Sequence, residues 1–337
     1  MPKYLKRYQQ VAQNKAPAHF NLTRKVKTDF HPTDPIHTLW EAHQEASQQE
    51  RGQPEETGKQ EETDTGKTLL DLKAAIAQRM LESCNFCDHH CQVNRFKAVG
   101  VCQVPAVSRY SAEFLHLGEE PELIPSHTVF FTGCNFACVY CQNWQISTQP
   151  ETGTPLLPEE FSRLVTLRRL EGARNLNLVT PTPHTHTILK ILQHLRVNTP
   201  IVWNCNMYYS RETALLLEGI VDVYLADFRY GNNKCAERYS HVRGYWETVT
   251  RNFQQAYQDG EILLRHLVLP GHLECCTRPI IEWTARNIPH VRFNLMFQYR
   301  PEYQAYRYPE LARPLTLEEK RGAIKMLKDS GLDDLLI

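Results

Sequence analysis

An α/β fold, a partial (β/α)6 TIM-like barrel, is predicted by three features of the 337-residue sequence. Beyond residue 126, β-branched and aromatic runs alternate with segments of helical periodicity. Segments of that length can cross back over a sheet, so consecutive strands are expected to run parallel with right-handed connections. Ahead of the repeat lies a cysteine-rich stretch, and ahead of that a start too poor in apolar side chains to form a core. The predicted organisation is a disordered N-terminal tail and linker over 1–65, a helix plus cysteine-rich module over 66–125, and the barrel over 126–337.

Seven basic residues and no acidic one fall within the first 27 positions. The following stretch 45-ASQQERGQPEETGKQEETDTG-65 is dominated by Gln, Glu, Gly and Thr. Such a composition buries too little surface to offset the entropy of ordering, which makes it a linker. The basic start has none of the serines of a transit peptide and reads as a solvated arm.

In 67-KTLLDLKAAIAQRMLE-82, residues Leu69, Leu70, Leu72, Ala75, Ile76 and Met80 recur at helical spacing. This helix leads into 84-CNFCDHHCQVNRFKAVGVC-102, with Cys84, Cys87, Cys91 and Cys102. Four thiolates make a complete tetrahedral set, for structural zinc or for a second iron-sulfur cluster. The competing reading is four unligated core cysteines. His89 and His90 read as solvated neighbours.

Strands are expected at 128-TVFFT-132, 176-LNLVT-180, 200-PIVWN-204, 221-VDVYLADF-228, 262-ILLRHLVL-269 and 291-VRFNLMF-297. Helices are expected over 158–172, 184–196, 211–219, 246–260, 277–287 and 316–331, several opening on Pro or Thr and closing on Gly. A barrel built this way carries its chemistry at the carboxyl ends of its strands.

Lys plus Arg and Asp plus Glu both total 38, so no global field argues for nucleic acid or an anionic membrane as partner. Neither a run of eighteen apolar residues nor a signal-peptide pattern is present, which points to a cytoplasmic protein without membrane attachment. In a reducing compartment, eleven cysteines are metal ligands or reactive thiols before they are disulfides.

The stretch 132-TGCNFACVYCQNW-144 sets Cys134, Cys138 and Cys141 directly behind the first strand of the repeat. Composition alone produces that spacing in roughly one such chain in a hundred. The alternative is one face of a core helix, since i, i+4, i+7 is a helical stripe and free cysteine packs as a small hydrophobe. Gly133, Asn135 and Asn143 weaken such a helix. Three thiolates without a nearby histidine leave a tetrahedral set one ligand short, which suits a cluster with one open iron better than a closed zinc site.

C-x3-C-x2-C with an aromatic residue, here Tyr140, before the last cysteine resembles the signature of the radical S-adenosylmethionine superfamily. The likeness continues through 175-NLNLVTPTPH-184, 221-VDVYLADFRY-230, 263-LLRHLVLPG-271 and 294-NLMFQYRPEY-303, and over roughly residues 80 to 335 resembles the pyruvate formate-lyase activating enzyme-related branch. The resemblance implies a barrel of radical SAM type and a [4Fe-4S] cluster on Cys134, Cys138 and Cys141. It implies that S-adenosyl-L-methionine chelates the fourth iron and is cleaved reductively to a 5'-deoxyadenosyl radical that abstracts hydrogen. A low-potential electron donor of flavodoxin or ferredoxin type is implied as partner.

On that reading Tyr140, Thr180, Thr182, Asn204, Asn206 and Arg229 are candidate cofactor-binding residues, and Asp227, Arg265 and His266 candidate catalytic ones. The 180-TPTPH-184 turn departs from the glycine-rich turn usual in the superfamily, and a plain strand-to-helix connection is its other reading. A structural salt bridge is the alternative for Asp227 with Arg229. A charged Arg265 inside an apolar strand is costly unless it faces a site or a partner. Cys205, Cys235, Cys275 and Cys276 show no ligand spacing and are read as structural. The expected function is an activating-enzyme-like oxidoreductase acting on a protein or peptide. The alternatives are radical chemistry on a small metabolite or cofactor, and a metal-binding scaffold or electron carrier.

Overall fold

The computed structural model describes residues 3–51, 66–149 and 152–337. One sheet contains β1 (Arg109–His116), β2 (Ser126–Phe131), β3 (Thr154–Pro155), β4 (Leu176–Val179), β5 (Ile201–Cys205), β6 (Val223–Asp227), β7 (Glu261–Leu267), β8 (Arg292–Met296) and β9 (Leu335–Leu336). Their spatial order is β3-β1-β2-β4-β5-β6-β7-β8-β9. From β2 to β9 every neighbouring pair is parallel. β1 and β3 add an antiparallel edge, with Tyr110 opposite Phe131 and His116 opposite Ser126. The sheet is open, since β3 and β9 are its two ends and do not pair.

The crossovers are α6 (Pro158–Leu170), α7 (Thr185–His194), α8 (Arg211–Leu217), α9 (Asn233–Ser240) with α10 (Tyr245–Asp259), α11 (Arg278–Asn287) and α12 (Leu317–Lys328). Their starts follow local chemistry. Pro158 opens α6, Ser210 accepts from Thr213 N–H at the head of α8, and Thr316 with Glu319 forms a capping box on α12. The six expected strands are all present. The edge strands β1 and β3, the closing strand β9 and the helix α9 are additions to the sequence-based expectation.

Side-chain parity along the strands decides what lies inside. Val202, Val223, Leu225 and Leu263 form a small apolar cluster in the barrel lumen. Two residues further along the same faces stand Asn204, Asp227 and Arg265, so the lumen turns polar toward the carboxyl ends. Residues of opposite parity, such as Trp203, Leu264 and His266, face the helices, where the main core lies.

The expected disordered tail is overturned for residues 3–51, which form α1 (Lys6–Ala12), α2 (His19–Thr23) and α3 (Ile36–Arg51). Leu5 and Tyr8 close the floor of the lumen against Val202, Val223 and Leu263. The Tyr8 hydroxyl accepts from Asn175 Nδ2 at 2.8 Å. Lys3, Lys6, Lys15, Lys25 and Lys27 are exposed, while the two arginines are held against the fold. Arg7 pairs with Asp222 at 2.9 Å, and Arg24 donates to the carbonyls of Leu192 and Leu195 at the end of α7. The segment has little core of its own but borrows one: Leu5 and Tyr8 at α1 sit on the barrel floor, while Phe20 of α2 and Leu39 of α3 join the main core on the helix side. The linker expectation for 52–65 lies outside the described residues.

The helix expected over 67–82 is α4 (Leu69–Met80), opened by a Thr68 and Asp71 capping box and packed against α3 and α7. No helix among the described residues is long and apolar enough to cross a membrane.

Candidate active site

Behind β2 the chain turns at Gly133, whose φ of 81° lies in the left-handed region that glycine adopts without strain. It then carries Cys134, Cys138 and Cys141 before α5 (Trp144–Thr148). The helix-stripe alternative fails, since residues 134–143 are not helical. The loop is fastened on several sides. Gly133 N–H donates to Ile146 O at 2.8 Å, and Val139 N–H to Tyr239 O at the end of α9, also at 2.8 Å. Asn135 is held by Asn206, whose Nδ2 donates to Asn135 Oδ1 at 2.9 Å, while Asn135 Nδ2 donates to Tyr208 O at 2.9 Å. Asn206 thus holds the cysteine loop to the end of β5.

Cys138 is buried, and Cys134 and Cys141 are partly so. Burial raises the pKa of Cys134 and Cys138, with Arg229 acting in the opposite sense on both. Neutral thiols in such a place become ligands when a cation displaces their protons. Phe136 N–H points at Cys134 Sγ at 3.3 Å. Ser240 Oγ donates to Cys138 Sγ at 3.0 Å and is itself 2.6 Å from the Tyr230 hydroxyl, which receives the Tyr140 hydroxyl at 2.7 Å. Tyr140 is therefore the far end of a hydroxyl chain that ends on a ligand sulfur.

Hydrogen bonds to cluster sulfurs favour the reduced, more negative state and raise the potential. Ser240→Ala is therefore expected to lower the midpoint potential of the reconstituted cluster. A difference of about 1 kcal/mol between the two redox states in this bond gives a shift of about 40 mV. Redox titration monitored by electron paramagnetic resonance (EPR) reads it, and an unchanged midpoint would remove Ser240 from the tuning of that cluster.

A second group lies in the lumen beside the loop. Asp227 accepts from Arg265 Nε at 2.8 Å and from Arg229 Nη2 at 2.6 Å. Arg265 Nη2 also donates to Asn204 Oδ1 at 2.6 Å, and its Nη1 lies 3.7 Å from Glu119 Oε2. Arg229 retains a buried Nε–H without a hydrogen-bond partner. A buried donor left open beside a thiol trio fits an anionic guest, either the thiolate-ligated cluster or a carboxylate chelated to it. Thr182 likewise keeps an unpartnered buried hydroxyl, and Thr180 holds a φ of 62°, a conformation uncommon for a non-glycine residue. Both sit at the end of β4, where Thr180 N–H donates to Asn204 O at 3.0 Å.

His266 is not brought to this site. Its ring is buried on the helix side of β7, with Nδ1 2.8 Å from Phe228 O and Nε2 2.9 Å from Thr277 Oγ1. Alternation along a strand separates it from Arg265, so the adjacent pair cannot share one pocket. Burial depresses its pKa to about 4, and that of His184, 3.0 Å from Thr132 O, to about 3. Both folded values lie below the ordinary value near 6.5, so between about pH 6.5 and 4 the unfolded chain binds more protons. Stability should fall as pH drops through that window, by up to about 1.4 kcal/mol per pH unit for each ring. Urea unfolding at pH 7 and pH 5 tests this, and equal midpoints would contradict it.

Sequence reasoning missed Glu119, Asn135, Tyr230 and Ser240. Glu119 enters from the β1–β2 connection, and Tyr230 with Ser240 from around α9. Asn135 lies within the cysteine stretch but reads there only as a helix-weakening residue, and the other three carry no spacing signal with the cysteines.

The upstream cysteines lie close to this loop. Cys84, Cys87 and Cys102 have raised pKa values, first through burial and then through one another and Cys91, so the four thiols are within electrostatic reach. A Cβ on Gly100 would stand 2.5 Å from Cys91 Sγ, so only glycine fits that approach. His89 is not a solvated neighbour. It is half-buried, and its Nε2 lies 2.7 Å from Asn135 O on the neighbouring cysteine loop.

Residues 128–284 match the radical SAM superfamily model. The chain belongs to the radical SAM superfamily. It is also 42% identical to an uncharacterized protein of Methanocaldococcus jannaschii over 337 residues, covering 98% of each chain. The superfamily brings a [4Fe-4S] cluster and S-adenosylmethionine as cofactors. Cys134, Cys138 and Cys141, in the loop behind the first strand of the matched region, are the candidate residues to hold that cluster.

Proposed function

We propose that this radical SAM enzyme acts on a protein or peptide, in the manner of an activating enzyme, with electrons from a flavodoxin- or ferredoxin-type donor. The observation that carries the reading is the open sheet. β3 and β9 end it without pairing, and that unpaired side is read as the approach of a polypeptide loop to the carboxyl ends of the strands. The stacked pair Trp144 and Tyr303, with ring centroids 5.3 Å apart, and the exposed Tyr306 stand near the cysteine loop as apolar contacts for such a loop.

When bound, the cluster and S-adenosylmethionine supply one-electron cleavage of the sulfonium and hydrogen abstraction. The residues of the chain do the rest. Cys134, Cys138 and Cys141 hold the iron, and Arg229 offers its free Nε–H to an anionic group of the cofactor. Thr180 and Thr182 line the cofactor's edge at β4. Asp227 keeps Arg229 and Arg265 in place, and Asn206 fixes the loop through Asn135. Cys84, Cys87, Cys91 and Cys102 are the candidate ligands of a further site for zinc or a second cluster, with no three of their sulfurs within 4.8 Å of one another.

The test uses a lysate from cells grown in deuterated medium and divided by size. The anaerobically reconstituted and reduced enzyme is given S-adenosylmethionine and each fraction. Deuterium in 5'-deoxyadenosine is expected with the macromolecular fraction and should vanish after protease treatment. Deuterium arriving only with the small-molecule fraction would replace this reading by a metabolite substrate. No 5'-deoxyadenosine above a boiled control would leave a scaffold or an electron carrier.

A further inference from the structure

We propose that Cys235, His272 and Cys275 form a binding site for a single zinc-type ion, separate from the two other cysteine groups and at the same carboxyl-end rim of the barrel. In sequence these residues show no ligand spacing. In the fold, one ligand atom from each lies within 4.8 Å of the others, and among the described residues no other such group of three is found. The Cys235 and Cys275 sulfurs stand 4.0 Å apart. A tetrahedral zinc with Zn–S bonds of about 2.3 Å needs its sulfurs about 3.8 Å apart, so the pair is already near ligand separation.

The surroundings fix these atoms. Asn232 caps α9 by accepting from Cys235 N–H at 2.8 Å, and its Nδ2 donates to Cys275 O at 2.6 Å, which ties the two cysteine segments together. A Cβ on Gly231 would stand 2.7 Å from Cys275 O, so glycine permits the close approach. Leu273–Thr277 is a π-helical turn, an irregularity often found where side chains are aimed for function.

His272 is oriented as a ligand. Its Nδ1 lies 2.6 Å from Pro270 O, and a carbonyl can only accept, so Nδ1 carries the proton. The neutral ring then presents a bare Nε2. The Tyr239 hydroxyl lies 3.0 Å from Nε2 and donates its proton to the Glu310 carboxylate 2.6 Å away, so a metal ion at Nε2 would displace any proton held there against the Tyr239 oxygen.

Two thiolates and one imidazole are a borderline-soft donor set that selects Zn2+ over Mg2+ or Ca2+. Cys275 is exposed while Cys235 and His272 are buried, and the Cys276 sulfur lies 4.0 Å from that of Cys275, so the fourth position falls to Cys276 or to a water or anionic group from outside. Cys235 and Ser240, which donates to Cys138 Sγ, are five residues apart on α9. That is roughly 7.5 Å along the helix axis, so a group bound at this ion would sit at the edge of the active site.

The test starts from the full chain, kept reduced and anaerobic, with its other cysteine groups first filled by iron and sulfide. Co2+ is then added as the spectroscopic probe. One equivalent per chain is expected, with thiolate charge-transfer and tetrahedral ligand-field bands, and Zn2+ should displace it. Cys275→Ala, at an exposed position where folding is not at stake, should weaken Co2+ binding at least tenfold, as should Cys235→Ser. Cys205→Ser should not. Wild-type protein with reduced thiols that takes up no Co2+, or Cys275→Ala with wild-type uptake, would overturn the proposal. Production of 5'-deoxyadenosine measured on the same samples reports separately on the radical chemistry.

Discussion

Cys138→Ala is expected to reduce 5'-deoxyadenosine formation to the level of a boiled control while leaving the chain folded. The thiol is small, so its loss removes little packing, and the backbone of its loop remains held by Val139 on Tyr239 and by Gln304 N–H on Val139 O at 2.8 Å. What disappears is one of three ligands in a set that has no spare. The sulfur also ends the hydroxyl chain from Tyr140, so Ser240 loses its acceptor at the same time. Iron bound at this loop should fall with activity, read as the loss of the EPR signal of the reduced cluster. Cys205→Ala is the matched control, because Cys205 is equally buried and faces the helix side of β5. Turnover by Cys138→Ala at a tenth of the wild-type rate or more would remove the trio from the chemistry.

Asp227→Ala is expected to cost about 3–5 kcal/mol of folding stability, as removal of one partner from a buried ionic group does. Asp227 is the shared acceptor of two guanidinium groups, and its side chain is 16% exposed. Without it Arg229 and Arg265 face each other across the lumen with Glu119, 3.7 Å from Arg265, and Glu120 as the remaining carboxylates. Asp227→Asn keeps an acceptor and should recover part of the loss. Urea unfolding reads both variants. An Asp227→Ala protein within 0.5 kcal/mol of wild type, the ordinary scatter of a surface substitution, would mean that the lumen readily hydrates the two arginines. The same variant should bind S-adenosylmethionine more weakly, because Arg229 loses the partner that orients it.

Much of the barrel was legible because its strands are short apolar runs between helices that obey their start signals. The trio was legible because three thiols within eight residues are rare and sit behind a strand. Thr182, Asn204, Asp227, Arg229 and Arg265 were found as polar residues at strand ends, where open α/β sheets carry their sites. The same reasoning put His266 beside Arg265, since adjacency in sequence hides the alternation that sends the two side chains to opposite faces. It also gave up residues 3–51 as disordered. Composition measures the core a segment can build by itself and is blind to a core that it completes for another part of the chain.

The sequence by itself determined the repeating β/α architecture and the gathering of three cysteines in one loop behind β2, because both are local: periodicity, turn chemistry and a compact spacing act within a few residues. Only the tertiary structure decided that Leu5 and Tyr8 floor the barrel, that Ser240 donates to Cys138, and that Cys235 meets Cys275 across forty residues of chain. These contacts join segments far apart in sequence, and their energies depend on burial and direction, which a linear order of residues does not encode.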